Sequence, residues 1–160
     1  MTESRIETRI RELGYELPVA PAPVAAYVPA VTSGSYVYTS GQLPFVDGVL
    51  PATGKVSDSS AEGFVSPEDA KKYAGICLLN ALAAVKSVIG DLDRVQRVVK
   101  VVGFVASEVN FTAQPAVING ASELLGEIFG EAGQHARSAV GVPVLPLDSP
   151  VEVEIIVEYV

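Results

Sequence analysis

Residues 4–14 set apolar side chains among charged ones at helical spacing, so that Ile6, Ile10 and Leu13 share one face. Ser4 and Glu7 stand ahead of that stripe as a capping-box pair, and Gly14 stands where the helix would end. A short amphipathic helix is predicted here. Pro18, Pro21 and Pro23 then enforce an extended connection over 17–27. The pattern next changes to β-rich: YVPAVTSGSYVYTSGQ (27–42) holds two such runs around Ser33–Gly34–Ser35 and predicts a hairpin. Residues 43–63 are rich in Gly, Pro, Asp and Ser, which predicts a long mobile loop beside a cleft or interface.

Ser66, Pro67, Glu68 and Asp69 form a helix start: a cap, a proline in the first turn, then acids favoured by the dipole. Ala70, Ala74, Cys77, Leu78, Ala81, Leu82 and Val85 follow at steps of three and four, as far as Gly90. Residues 97–109 are β-rich but alternate too little for a water-facing sheet, so a central strand is predicted. Another helix is read over 115–130, with Val117, Leu124, Leu125 and Ile128 inward. The last two strands are ARSAVGVPVL and VEVEIIVEYV, the latter turning Glu152 and Glu154 to one side and Val or Ile to the other. The order helix, strand, strand, helix, strand, helix, strand, strand predicts an α+β fold with two main helices on one face of a sheet. The opposite face would need the N-terminal helix or a partner subunit to cover it. Residues 1–16 read as a helix appended to a single domain over 17–160.

Composition narrows the function. Of 160 residues 49% are hydrophobic and only 19% charged, which suits a subunit that gives part of its surface to an interface. A net charge of −8 without a basic cluster argues against a nucleic-acid partner. Cys77 is the lone cysteine, which excludes an internal disulfide and a cysteine zinc site; its apolar setting predicts a buried thiol. The N-terminus is too charged for a signal peptide and no apolar run reaches membrane-spanning length, so a cytoplasmic protein without a membrane partner is expected.

No phosphate loop, nucleophile elbow or metal-protease motif occurs, and one histidine cannot build a histidine-rich metal site, so no metal is expected. That histidine, His135, reads as a structural hydrogen-bonder rather than a general base. Arg137 sits at the mouth of a strand built for burial. It reads either as a surface arginine or as a fixed fork for a carboxylate, whose geometry a guanidinium matches bidentately. Glu152 and Glu154 read as a solvent-facing row, or as acid/base candidates if a partner lines that face.

Three blocks in order, TSGQLP (39–44), TGKV (53–56) and ARSAVGVPVLPLDSPVEVE (136–154), resemble the RidA/YjgF family, also labelled endoribonuclease L-PSP. The resemblance covers roughly 17–160. It implies a chorismate-mutase-like homotrimer with a small-molecule cleft between subunits and no cofactor. It also implies hydrolytic deamination of reactive 2-imino or enamino acids, such as 2-aminoacrylate, to 2-keto acids and ammonia. Arg137 would bind the substrate carboxylate, Glu152 would position water, and Tyr27 would complete the catalytic set. Asn119, Ala139, Ser40 and Gly41 would contact substrate. The chain departs from the family pattern in Ala139, where deaminases commonly have cysteine, and in His135, where they have proline; it also has a longer 43–66 loop and an added N-terminal helix. A non-catalytic 2-keto acid binder or sensor is the alternative, with ribonuclease activity a weaker third.

Overall fold

The computed structural model describes residues 3–20, 22 and 26–160. Of the expected extended connection at 17–27, positions 21 and 23–25 therefore lie outside the described residues. The elements run α1 (Arg5–Glu12), β1 (Ala30–Ser33), β2 (Tyr36–Thr39), α2 (Pro67–Ile89), β3 (Val95–Ala106), α3 (Gln114–Phe129), β4 (Ala136–Val142) and β5 (Val151–Tyr159). Their order is the one read from the sequence.

Local signals fix these elements. Ser66 accepts from the Asp69 amide at 3.1 Å to start α2, and Gly90, at φ 86°, stops it. The β1–β2 hairpin pairs Ser33 with Tyr36 across Gly34, whose φ of 57° a two-residue turn requires. Ser4 caps α1 as expected, but Glu7 does not return the bond; its carboxylate meets Lys86 Nζ at 2.6 Å. The remaining α1 donors go to Asp93, which accepts from the amides of Arg5 (3.0 Å) and Ile6 (2.9 Å) and from Ser4 Oγ (3.0 Å).

The sheet runs β1-β2-β5-β3-β4, antiparallel throughout except for the parallel β3–β4 pair. Helices α2 and α3 lie on one face. Val101, Val105, Val151, Val153, Ile155 and Val157 point into that layer and are buried with Leu78, Leu82, Ile118 and Leu125. Gly103 lets α3 approach β3, because a Cβ there would collide with Ile118. Gly120 likewise sits where a Cβ would strike the Lys71 carbonyl, so α2 and α3 touch backbone to backbone.

Three expectations need correction. Helix α1 packs against α3 and the 92–94 turn, on the helical side, so it does not cover the opposite sheet face. That face presents Val31, Tyr36 and Tyr38, each more than a third exposed. The 43–63 segment is tied down rather than free: Val56 is in the core, Gly54 N donates to Asp148 O (2.9 Å), and Asn80 Nδ2 donates to the carbonyls of Leu43 and Phe45. Helix α2, at 23 residues, is long and apolar enough by length and composition to cross a membrane, although its interrupted runs do not suggest it. Its apolar content is accounted for by burial against α3 and the sheet, which takes 56% of its most apolar window.

Candidate functional site

The site residues expected from the sequence divide into two groups. The first forms where α3 crosses the edge strand β4. Asn119 and Ser122 are three apart on α3 and face the same way. Arg137 Nη1 donates to Asn119 Oδ1 at 2.7 Å and to Ser122 Oγ at 3.2 Å. Arg137 is half-buried, and no carboxylate pairs with it among the described residues. Its Nη1 is therefore held by neutral oxygens. The Nε–H and Nη2 donors make no protein hydrogen bond among the described residues, which leaves one edge of the guanidinium fork open.

His135 joins this group. Its Nδ1 lies 2.7 Å from the Gly133 carbonyl and its Nε2 lies 2.9 Å from Ser122 Oγ. The reading of His135 as a hydrogen-bonder fits this arrangement, but its partner on α3 was not foreseen. A neutral polar pair at i, i+3 on α3, with an arginine without an acidic neighbour on the following strand, is the signal that could have found Ser122. Ala139 lies two residues beyond Arg137 and packs against the core. The Val142 carbonyl turns inward to accept from Ser107 N at 3.1 Å. In a parallel pair the backbone groups of successive residues alternate sides, so those of Arg137, Ala139 and Gly141 face the unpaired outer edge.

The second group lies across the sheet. Glu152, the second residue of β5, pairs with Phe104 and points to the face away from the helices. Its carboxylate occupies the space above Gly41, where any Cβ would collide with it. Burial, and then the charge of Glu154, raise the Glu152 pKa. Ser40 ties this corner to the preceding segment, with Oγ donating to Val28 O (2.7 Å) and N to Pro29 O (2.8 Å). Tyr27, adjacent to that anchor, is 68% exposed. Since β1 and β4 are the two edges of the sheet, Tyr27 and Arg137 cannot meet within one chain. The structure thus brings Arg137, Asn119 and Ala139 together, and separately Tyr27, Ser40, Gly41 and Glu152.

Cys77 is fully buried, its Sγ 3.9 Å from the Val151 carbonyl. Burial first, and the Glu152 charge second, push its thiol pKa well up, which suits an inert core residue. The largest cavity described, about 600 Å³, runs between α2 and α3 beside Tyr15, Lys71, Gly75 and Gly120, and none of the expected site residues lines it.

Comparison with known proteins bears on the family and the fold. The profile of the YjgF/chorismate mutase-like family matches residues 7–159. Protein TCP17 of Trypanosoma cruzi is 41% identical over 159 residues, 99% of this chain and 96% of its own. A 2-iminobutanoate/2-iminopropanoate deaminase of Dermatophagoides farinae is 30% identical, over 88% of this chain and 91% of its own. Among solved structures, a protein of unknown function from Agrobacterium tumefaciens superposes with a TM-score of 0.87 at 44% identity, covering 98% of this chain and 93% of its own.

Proposed function

This chain belongs to the RidA/YjgF family, whose members here include a named deaminase, and on that premise we propose that it hydrolyses reactive 2-imino or enamino acids to 2-keto acids and ammonia. The observation that carries the reading is the state of Arg137. One nitrogen is fixed by Asn119 and Ser122, and the opposite edge of the fork, without a protein partner among the described residues, can donate two parallel bonds to a carboxylate.

An enamino acid such as 2-aminoacrylate first takes a proton at its terminal carbon, loses one from its nitrogen and becomes the imine. Water then adds to the imine carbon as Glu152 accepts one of its protons and passes it to the nitrogen, giving a carbinolamine. Glu152 next takes the proton of the new hydroxyl and hands it to the amine, which leaves as ammonia as the carbonyl forms. An imine is already electrophilic, so placement of substrate and water supplies the acceleration. The raised Glu152 pKa suits a group that must both take and return a proton.

The separation of the two groups supports a site built from two copies, with Arg137 of one and Glu152 of the next. Contacts between opposite edges of a chain are head-to-tail and must close into a ring to stay finite. The proposed ring is a homotrimer. Ammonia release from imino acids generated in place by an amino-acid oxidase tests the reaction. Acceleration that depends on Arg137 supports it. Pyruvate binding through Arg137 without ammonia release would instead make this a 2-keto acid binder.

A further inference from the structure

Neither Ser122 nor His135 touches substrate in the reaction just proposed, yet their side chains form a run of hydrogen bonds that ends on Arg137. A serine inside a helix ordinarily turns its hydroxyl back onto the carbonyl one turn earlier. Ser122 instead bonds to His135 and Arg137. The directions of these bonds follow from one fixed point. The Gly133 carbonyl can only accept, so His135 Nδ1 carries the hydrogen at 2.7 Å. In the neutral ring Nε2 is then an acceptor, and Ser122 Oγ donates to it at 2.9 Å. With its proton committed, Ser122 offers lone pairs to Arg137, and Nη1 donates to it at 3.2 Å. Gly133 holds its place because a Cβ there would collide with the Leu125 carbonyl, which seats the 130–133 turn directly on α3.

We propose that Ser122 and His135 are positioning residues for Arg137: a relay running from the Gly133 carbonyl through the ring and the hydroxyl sets the guanidinium rotation that presents its Nε–Nη2 edge to a carboxylate. The inference rests on the carboxylate-binding reading of Arg137 and deepens it. Asn119 alone could pivot the guanidinium about a single contact; two acceptors on Nη1 remove that freedom. The affinity gained is pre-organisation, since an arginine already aimed loses less freedom when the anion arrives.

The chain has one histidine, so the ring ¹⁵N spectrum of labelled protein reports on His135 alone. The relay requires the Nδ1–H tautomer in wild type, with an Nε2 resonance that shifts in Ser122→Ala and again when pyruvate is added to wild type. Pyruvate affinity by calorimetry should fall roughly five-fold in Ser122→Ala, the worth of about one neutral hydrogen bond, and recover in Ser122→Thr. His135→Ala should cost a similar factor, and the double variant should cost no more than either single one, because the two act as one unit. Thermal melting of each variant separates these effects from misfolding. An Nε2–H tautomer in the ligand-free protein, full affinity in Ser122→Ala, or additive losses would overturn the relay while leaving carboxylate binding by Arg137 intact. Absence of pyruvate binding by the wild type would overturn the carboxylate reading itself, and with it the purpose of the relay.

Discussion

Arg137 and Glu152 stand on opposite faces of the same sheet and three residues out of register. Arg137 pairs with Val101, and Val101 with Ile155, so the arginine shares the helical face with two core residues. Glu152, three positions before Ile155 on its strand, must point the other way. Two strand spacings and three residues place the two Cα atoms about 10 Å apart across the sheet and about 10 Å apart along it. No rotamer change brings a carboxylate and a guanidinium together through a packed sheet. The proposed reaction therefore depends on how copies of the chain meet, and this can be tested by mixing.

At low substrate concentration, subunits carrying Arg137→Lys and subunits carrying Glu152→Gln should each be strongly impaired alone and recover activity when unfolded and refolded together. With random assortment about a quarter of the clefts receive both wild-type groups if each cleft draws them from different chains. Ammonia release from the mixture measures this; no recovery places both groups in one chain's site.

Arg137→Lys keeps the charge and loses the fork. A single ammonium cannot reproduce two parallel bonds, so pyruvate affinity should fall roughly ten- to a hundred-fold, about 1.5–3 kcal/mol. Melting temperature should hold, since the arginine pairs with no acid among the described residues. Calorimetry and thermal denaturation read the two effects separately.

Glu152→Gln should abolish turnover while leaving pyruvate affinity in place. It should also change stability with pH in a set direction. Burial, and then Glu154, raise the Glu152 pKa, so folding favours the protonated form, and the stability it lends at low pH is lost as pH rises through the folded value. The glutamine variant should melt higher than wild type at neutral pH, and the difference should vanish below the ordinary carboxyl range.

Gly41→Ala puts a methyl group where the Glu152 carboxylate lies. The side chain is the part that can move, so the fold should survive with little loss of melting temperature while ammonia release falls as it does in Glu152→Gln. Unchanged turnover would show that the carboxylate does not need its place above Gly41.

Asp93→Ala should release α1 alone. Burial opposes its ionisation, but bonds from the Ile6 and Arg5 amides, Ser4 and the Arg5 side chain outweigh it and hold the pKa low. Such a group stabilises above the ordinary carboxyl range and loses its effect as pH falls through the depressed value. Loss of the cap costs about 1 kcal/mol. Hydrogen exchange should quicken in residues 5–12 and stay slow in α2.

The order of elements was legible because its signals are local. Ser66 with Pro67, Gly34 in its turn, and the alternation of Glu152 and Glu154 with valines each fix one element within a few residues. What escaped depends on distance along the chain. Asp93 caps a helix 88 residues away, and no pattern near either end announces it. Strand order likewise decides that Tyr27 and Arg137 lie at opposite edges, although both belong to motifs readable in sequence. The loop over 43–63 has the composition of a mobile segment, but Val56 and Asn80 anchor it through contacts that composition does not encode.

The Asp93 cap also bears on how the chain is made. An eight-residue helix is too short to hold its shape in water unaided, and α1 draws its cap, its ion pair with Lys86 and its packing surface on α3 from residues synthesised long after it. Helix α1 is therefore among the last elements to fold, although it precedes its partners in the chain. Until α3 emerges, the stripe of Ile6, Ile10 and Leu13 stays exposed on the nascent chain, a short adhesive segment open to chaperones and to neighbouring chains on the same messenger.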